Sequence, residues 1–310
     1  MQVIGDLAEA KLDGPSLVTV GSYDGVHIGH QRLLGQMRNT ADTLGFHTSV
    51  VTFHPQPKTV LVPHLQTRYL TTPADKIVLL DGLGLDLVAI LPFTRETART
   101  PAVEFVGELV AHLKMRQLWV GPDFALGRNR EGDIPRLRES GQELGFEVHV
   151  AEPLVQGGQV VSSTRIRNLL MRGEVRQATA LLGRYLSITG QVVQGAQRGR
   201  LLGFPTANLA VLSERAIPAD GVYACFVWVN NRRYPAVTNI GVRPSFAGAE
   251  RTVEAHLLGF SGDLYGWDLR MEFVDRLRPE RRFTDLVDLA GQIQSDAERA
   301  TKLLDHEPPA

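Results

Sequence analysis

The spacing of apolar residues changes period near residue 185, and that change limits the chain to two halves built on different principles. Before it, short apolar runs alternate with helical patterns. Leu17–Val20 reads as a strand, and from Gly29 the residues Leu33, Leu34, Met37, Ala41 and Leu44 fall on one helical face. The alternation is expected to continue through a strand at 48–53, a helix at 73–80, a strand at 85–91, a helix at 101–113, a strand at 118–121, a helix at 134–144 and a strand at 146–151. Thr72–Pro73 and Thr100–Pro101 each set a capping hydroxyl before a proline suited to the first helical position. Strands joined by single helices imply an α/β doubly wound parallel sheet, which binds ligands at the carboxyl ends of its strands.

Beyond residue 185 the pattern becomes one of short strands with period two, at 187–193, 222–229, 234–239, 252–258 and 269–274. Leu286, Leu289, Ile293, Ala297 and Ala300 then recur at helical spacing. Such strands with glycine-containing turns predict a small antiparallel β-barrel followed by a terminal helix. The expected domains are 1–184 and 185–310, and 310 residues suit two cores.

Charge and cysteine content remove several function classes. With 33 basic and 34 acidic residues the formal net charge is −1, which argues against a general nucleic-acid binder. The 1 cysteine, Cys225, lies in the apolar run Val222–Val227 and reads as a core residue, with no intramolecular disulfide open to it. Asp81 and Asp86 interrupt the most apolar stretch, 77–93, so no membrane span is expected, and the opening residues have no basic-then-apolar leader pattern. A cytoplasmic protein, monomeric or weakly oligomeric, with neither nucleic acid nor membrane as partner, is the expectation.

The first chemical constellation is Gly21–Ser22–Tyr23–Asp24–Gly25–Val26–His27–Ile28–Gly29–His30, placed where the first strand gives way to the first helix. Its glycines permit tight turns, and two imidazoles three residues apart at a helix N-terminus can hold the charge of a nucleotide triphosphate. The alternative is a pair of surface histidines on a loop. Val161–Arg167 (VSSTRIR) adds serines able to cap a helix and two arginines, Arg165 and Arg167, suited to phosphate; alone it also reads as an ordinary capped helix.

A second constellation lies in the other half. Gly195–Arg200 is a basic, glycine-containing loop, followed at 205–208 by Pro–Thr–Ala–Asn. Backbone amides of such a loop can cradle phosphates, and Thr206 with Asn208 offers a hydroxyl and an amide to magnesium. Glu254 shares a strand face with His256 and can accept a proton from an attacking alcohol. By residue chemistry alone these segments read equally as a proline turn before a strand and a solvent-facing pair.

Residues 21–30 and 161–167 resemble the paired motifs of the nucleotidyltransferase (HxGH) superfamily. The longer string GxxDGVHxGH, together with Thr52–Pro57 and Gly121–Gly127, is similar to the bacterial bifunctional riboflavin kinase/FAD synthetases. PTAN at 205–208, GVYA at 221–224, NIGVRPSF at 239–246, VEAHLLGF at 253–260 and DLYG at 263–266 resemble the riboflavin kinase half of that family. The chain departs from the family pattern at Ser22–Tyr23, where Asn-Phe is usual, at Leu126, where Phe is usual, and at Gly259, where Asp is usual.

The resemblance implies an enzyme that phosphorylates riboflavin to FMN in its C-terminal domain and adenylylates FMN to FAD in its N-terminal domain. ATP is the co-substrate and Mg²⁺ the cofactor of both steps. It implies His27 and His30 as catalytic contacts to ATP phosphates, with Gly21, Ser22, Asp24, Gly29, Ser163, Thr164 and Arg167 completing that site. Asp123, Phe53 and Arg243 fall to the flavin. In the kinase half it implies Arg198, Gly199 and Arg200 on phosphate, Thr206 and Asn208 on magnesium-ATP, and Glu254 as catalytic base. Three narrower readings stay open at this stage: a kinase that has lost adenylylation, an HxGH transferase with another acceptor, and a flavin-binding protein without turnover.

Overall fold

Every residue of Ser16–Val20 (β2) is buried, as only a strand covered on both faces can be. The computed structural model describes residues 1–62, 64, 68–195, 203–245 and 248–307, with only the backbone of 243–245 and 248–250. Two compact units emerge, Met1–Ser163 and Thr164–Ala310. In the first, β2 is joined by Gln2–Ile4 (β1), His47–His54 (β3), Leu87–Pro92 (β4), Met115–Val120 (β5) and Glu147–Val150 (β6). All pairings are parallel, in the order β1-β4-β3-β2-β5-β6. Val155–Gln156 (β7) and Gln159–Val160 (β8) form a small separate hairpin.

Successive side chains of β2 enter opposite cores, because strand residues alternate between faces. Leu17 packs with Leu34, Met37 and Ala41 of Ile28–Leu44 (α1). After the short helix Pro57–Leu61 (α2), Pro73–Asp81 (α3) brings Leu80 to the same cluster. Val18 and Val20 pack with Leu109 and Leu113 of Ala102–Leu113 (α4) and Leu137 of Ile134–Leu144 (α5). Leu17, Leu80, Leu109 and Leu118 are fully buried, each stabilising the unit by about 2 kcal/mol through apolar area removed from water. From β2 the chain runs to β3 and β4 on one side, then returns to β5 and β6 on the other. The crevice at this reversal, at the carboxyl ends of β2, β3 and β5, is where such sheets bind ligands.

The two threonine-proline signals behave differently. Thr72 caps α3 as expected: its hydroxyl accepts from the Asp75 amide and the Asp75 carboxylate accepts from the Thr72 amide. Thr100 does not cap α4, which begins at Ala102 with Pro101 outside it. Glu131 displaces the hydroxyl there, its carboxylate accepting from the Ala102 amide at 3.0 Å.

The second unit carries Val175–Leu182 (α7) and most of Ser163–Met171 (α6), then the barrel. Its strands are Leu186–Val193 (β9), Ala207–Ala210 (β10), Gly221–Val229 (β11), Arg232–Ser245 (β12), Gly248–Leu257 (β13) and Asp268–Arg278 (β14). They close antiparallel in the order β10-β13-β12-β11-β14-β9, as the period-two pattern predicts. The closing helix, Leu286–Leu304 (α8), lays Ala300 and Leu304 against Val222, Ala224 and Phe226 of β11. The alternate residues of β11, among them Tyr223, Cys225 and Val227, are also buried, which accounts for the unbroken apolar run in its sequence. Burial pushes the Cys225 thiol up to about 12, so it is protonated and inert at neutral pH. The strand β12 runs well past the expected 234–239. Its ladder with β13 continues unbroken from Ala236↔Leu257 to Ser245↔Gly248, held by backbone hydrogen bonds that need no apolar side chains.

Candidate active sites

In the first unit the loop after β2 is pinned from several sides. Gly21 donates its amide to Val51 O at 3.0 Å. The buried Asp24 carboxylate accepts from the amides of Leu70 and Thr71 and from the Thr71 hydroxyl, at 2.9, 3.1 and 3.2 Å. Asp24, placed among the phosphate contacts by resemblance, braces this loop through one carboxylate oxygen, Oδ1. Two non-glycine residues take left-handed backbone, Tyr23 at φ 44° and Val26 at φ 39°. That conformation costs a bulky or β-branched side chain on the order of 1–3 kcal/mol and persists only where the surroundings impose it. The Tyr23 ring is buried, its hydroxyl bonded to Thr19 Oγ1.

The loop delivers His27 to the N-cap of α1, where its Nδ1 accepts from the His30 amide at 3.3 Å. The His27 and His30 rings stack, centroids 3.6 Å apart and planes 16° apart, and Tyr23 tilts against His30 at 4.9 Å. A Cβ on Gly29 would lie 3.1 Å from His27 Nδ1, so a side chain there would press on the stacked ring. Burial, and secondarily the charges of His27 and Lys76, hold the His30 imidazole well below the usual histidine range. It is neutral at pH 7, with its Nδ1 buried and lacking a hydrogen-bond partner. The neutral His30 ring, stacked on His27 at the positive end of a 17-residue helix, makes a site prepared for an anion.

Ser163 joins this loop from the second motif, donating its hydroxyl to Asp24 O at 2.8 Å. Thr164 and Arg167 follow on α6 in the second unit, where an Arg167 guanidinium N–H lies 3.5 Å from the Thr164 hydroxyl. Ser22 is exposed, and its carbonyl accepts from Lys76 Nζ at 2.7 Å and Thr52 Oγ1 at 3.1 Å. Phe53, at the end of β3, is half-buried in an aromatic group with Phe93 and Phe105. Asp123 follows β5 with an exposed side chain, and its carbonyl accepts from Arg130. Motifs at the ends of β2, β3 and β5 thus meet the same edge of the sheet.

In the barrel, strand register aligns the second set. Asn208 of β10 stands opposite Glu254 of β13, which stands opposite Asn239 of β12. Cross-strand partners share a face, so these three make one polar row on the outside of the barrel, while Ala207, Leu209, Val253 and Ala255 are buried. The Thr252 hydroxyl lies 3.3 Å from the Glu254 carboxylate. Two residues along β13, His256 bonds Pro205 O at 2.8 Å and meets Phe204 edge-on, fixing the Pro205–Thr206 turn. A Cβ on Gly195 would collide with the Asn208 amide, so only glycine lets the incoming chain pack on that side chain. Thr206 and Asn208 line a cavity of about 530 Å³ together with Val192, Leu257, Phe260 and Tyr265. Arg198, Gly199 and Arg200 lie outside the described residues, as does the Arg243 side chain. Among the described residues no group of three or more His, Cys, Asp or Glu side chains is placed to hold a metal ion.

The positioning role of His256 was visible in sequence only as a shared strand face with Glu254. Asn239 and Lys76 gave no signal there: the first needs the register of β12, the second the burial of α3.

Comparison with known proteins points the same way. Residues 9–165 match the family model described as FAD synthetase, and residues 182–304 the one described as riboflavin kinase. A bifunctional riboflavin kinase/FMN adenylyltransferase of Pseudomonas fluorescens is 39% identical, covering 93% of this chain and 92% of the relative. One from Escherichia coli (strain K12) is 36% identical, covering 99% and 98%. A crystal structure named as a macrolide-efflux protein from Streptococcus pneumoniae superposes with a TM-score of 0.89 at 30% identity, covering 96% of this chain and 98% of that one. Among the described residues of the present chain no helix is long and apolar enough to cross a membrane.

Proposed function

The chain belongs to the family of bifunctional riboflavin kinase/FMN adenylyltransferases, and from that premise we propose which residues run its two reactions. It phosphorylates riboflavin to FMN with ATP, and it adenylylates FMN to FAD with a second ATP, releasing pyrophosphate. We assign phosphorylation to residues 185–310 and adenylylation to residues 1–184.

For the kinase step, the observation that carries the assignment is the register of Asn208 with Glu254 beside the cavity. The cavity takes the nucleotide, with its phosphates toward Thr206 and Asn208. Glu254 faces the ribityl hydroxyl and accepts its proton as the oxygen attacks the γ-phosphorus; ADP leaves. Most of the acceleration comes from holding the two reactants in line. The donor set suits Mg²⁺: a hydroxyl, a glycine-braced amide and phosphate oxygens meet its preference for few protein ligands. When bound, the ion neutralises charge on the phosphate oxygens. Arg198, Gly199 and Arg200 complete the phosphate contacts, and Arg243 the flavin contacts.

For the adenylyl step, His27, His30 and the amide end of α1 take the triphosphate, with Ser163 beside them; the family resemblance assigns Thr164 and Arg167 to phosphate as well. An FMN phosphate oxygen attacks the α-phosphorus and pyrophosphate departs, so the residues need only stabilise charge that builds on the leaving group. No covalent enzyme intermediate is required. Phe53 and Asp123, at the ends of β3 and β5, serve the flavin side. The reading gives no role to nucleic acid or a membrane, and suits a cytoplasmic monomer or weak oligomer.

The test is a chromatographic time course of riboflavin, FMN and FAD with ATP and Mg²⁺, started from riboflavin or from FMN. Glu254→Gln should abolish FMN formation and spare FAD formation from supplied FMN, and His30→Ala should accumulate FMN without FAD. Loss of both activities in either variant would refute the two-site assignment.

A further inference from the structure

Lys76 lies on α3, where a lysine is normally a solvent-facing residue, yet it is only 6% exposed. Its ammonium donates to Ser22 O at 2.7 Å and to Thr52 Oγ1 at 3.0 Å, and Thr52 Oγ1 in turn donates to Ser22 O at 3.1 Å. This three-way node ties α3 to β3 and to the turn that leaves β2. Among the described residues Lys76 makes no ion pair. Asp24 favours its charge at longer range, but the Asp24 carboxylate is already bonded to Leu70 and Thr71. Burial pulls the Lys76 ammonium down to about 8, and its charge in turn lowers His30.

A buried ammonium bonded only to uncharged acceptors is a poor way to stabilise a fold, since an apolar side chain of the same length would pack there without desolvating a charge. The groups it holds are those of the nucleotide site. Ser22 O immediately precedes Tyr23, whose left-handed backbone sets its ring against His30. We infer that Lys76 is a positioning residue of the adenylyl-transfer site, locking the Ser22–Tyr23 turn that sets His30 and placing a fixed positive charge behind the histidine pair for the incoming triphosphate. The inference rests on reading His27 and His30 as the triphosphate contacts. Fixed charge of this kind acts on the leaving pyrophosphate without moving.

The experiment uses the full-length chain with Lys76→Met, Lys76→Arg, Thr52→Val and, beside them, His30→Ala. Initial rates of FAD formation are measured against ATP and against FMN, with pyrophosphate inhibition, riboflavin phosphorylation and melting temperature on the same preparations. Lys76→Met should melt at or above the wild-type temperature yet lose about tenfold or more in kcat/KM for ATP. Pyrophosphate should bind more weakly by a similar factor, while KM for FMN and the kinase rate stay within about twofold. Lys76→Arg, which keeps the charge, should recover part of the loss. A folded Lys76→Met that adenylylates within about threefold of wild type would overturn the inference. If Lys76→Met does not fold, Thr52→Val decides, because it keeps the lysine and the packing but removes the hydroxyl between Lys76 and Ser22: a loss of about threefold to tenfold supports the inference, and full activity overturns it. Full adenylylation by His30→Ala would instead refute the histidine assignment on which the inference stands.

Discussion

Asn208 and Glu254 are cross-strand partners on β10 and β13, so the amide that edges the barrel cavity and the carboxylate opposite it are fixed by the same stretch of backbone ladder. Glu254→Gln preserves shape and removes only the basic oxygen. General-base catalysis is worth about 10²–10⁴-fold, so riboflavin phosphorylation should fall by that factor, with FAD formation from supplied FMN unchanged. Steady-state rates for the two half-reactions, measured separately, check this.

His256 is the residue that carries the Pro205–Thr206 turn, through its 2.8 Å bond to Pro205 O. His256→Ala removes one hydrogen bond of about 1 kcal/mol and the ring edge that meets Phe204, leaving the Thr206 hydroxyl less well placed. The expected outcome is a roughly five- to tenfold loss in kcat/KM for ATP in the kinase reaction, concentrated in KM. An unchanged KM for ATP would show that Thr206 holds its position without the histidine.

Gly29 separates two effects that oppose each other. Alanine inside a helix is favoured over glycine by up to about 1 kcal/mol, and α1 should gain from the change. The added methyl would press to 3.1 Å on His27 Nδ1, tight enough to shift the ring out of its stack with His30. Gly29→Ala should therefore melt no lower than wild type while losing about tenfold or more in adenylylation. Retained adenylylation would mean that the stacked geometry of the two imidazoles is not needed.

The elements the sequence made legible are those whose period is set by burial. Leu17 and Val18 point into different cores, and Val253, Ala255 and Leu257 alternate with Glu254 and His256, so parallel sheet and barrel strand could both be read. The strand β10 stood only as the alternative of a proline turn before a strand, because its four residues include Asn208 and carry little apolar pattern. Thr100 was misread because its rival for the Ala102 amide, Glu131, is 31 residues away in sequence and adjacent only in the fold. In the same way His27 and His30 announce themselves by spacing, whereas Asp24 shows its bracing role and Lys76 its burial only once α3 and the Leu70–Thr71 segment are in place.

The neutral state of His30 has a consequence for stability that does not depend on catalysis. Its folded pKa lies well below the ordinary 6.5, so above that pH neither folded nor unfolded chain protonates the ring. As pH falls through 6.5 the unfolded chain binds a proton that the folded site refuses. Stability is therefore lost on acidification, at up to about 1.4 kcal/mol per pH unit from this one group, until the folded pKa is reached. Other histidines and carboxylates titrate in the same range, so the informative quantity is a difference. Unfolding of the first unit can be followed through Trp119 in the full chain after replacing Trp228 and Trp267 with Phe. Between pH 6.5 and 5 the chain bearing His30 should lose more stability than the same chain with His30→Gln. Parallel curves for the two would mean that the imidazole is protonated in the folded site, and that the charge awaiting the triphosphate is carried by the ring itself.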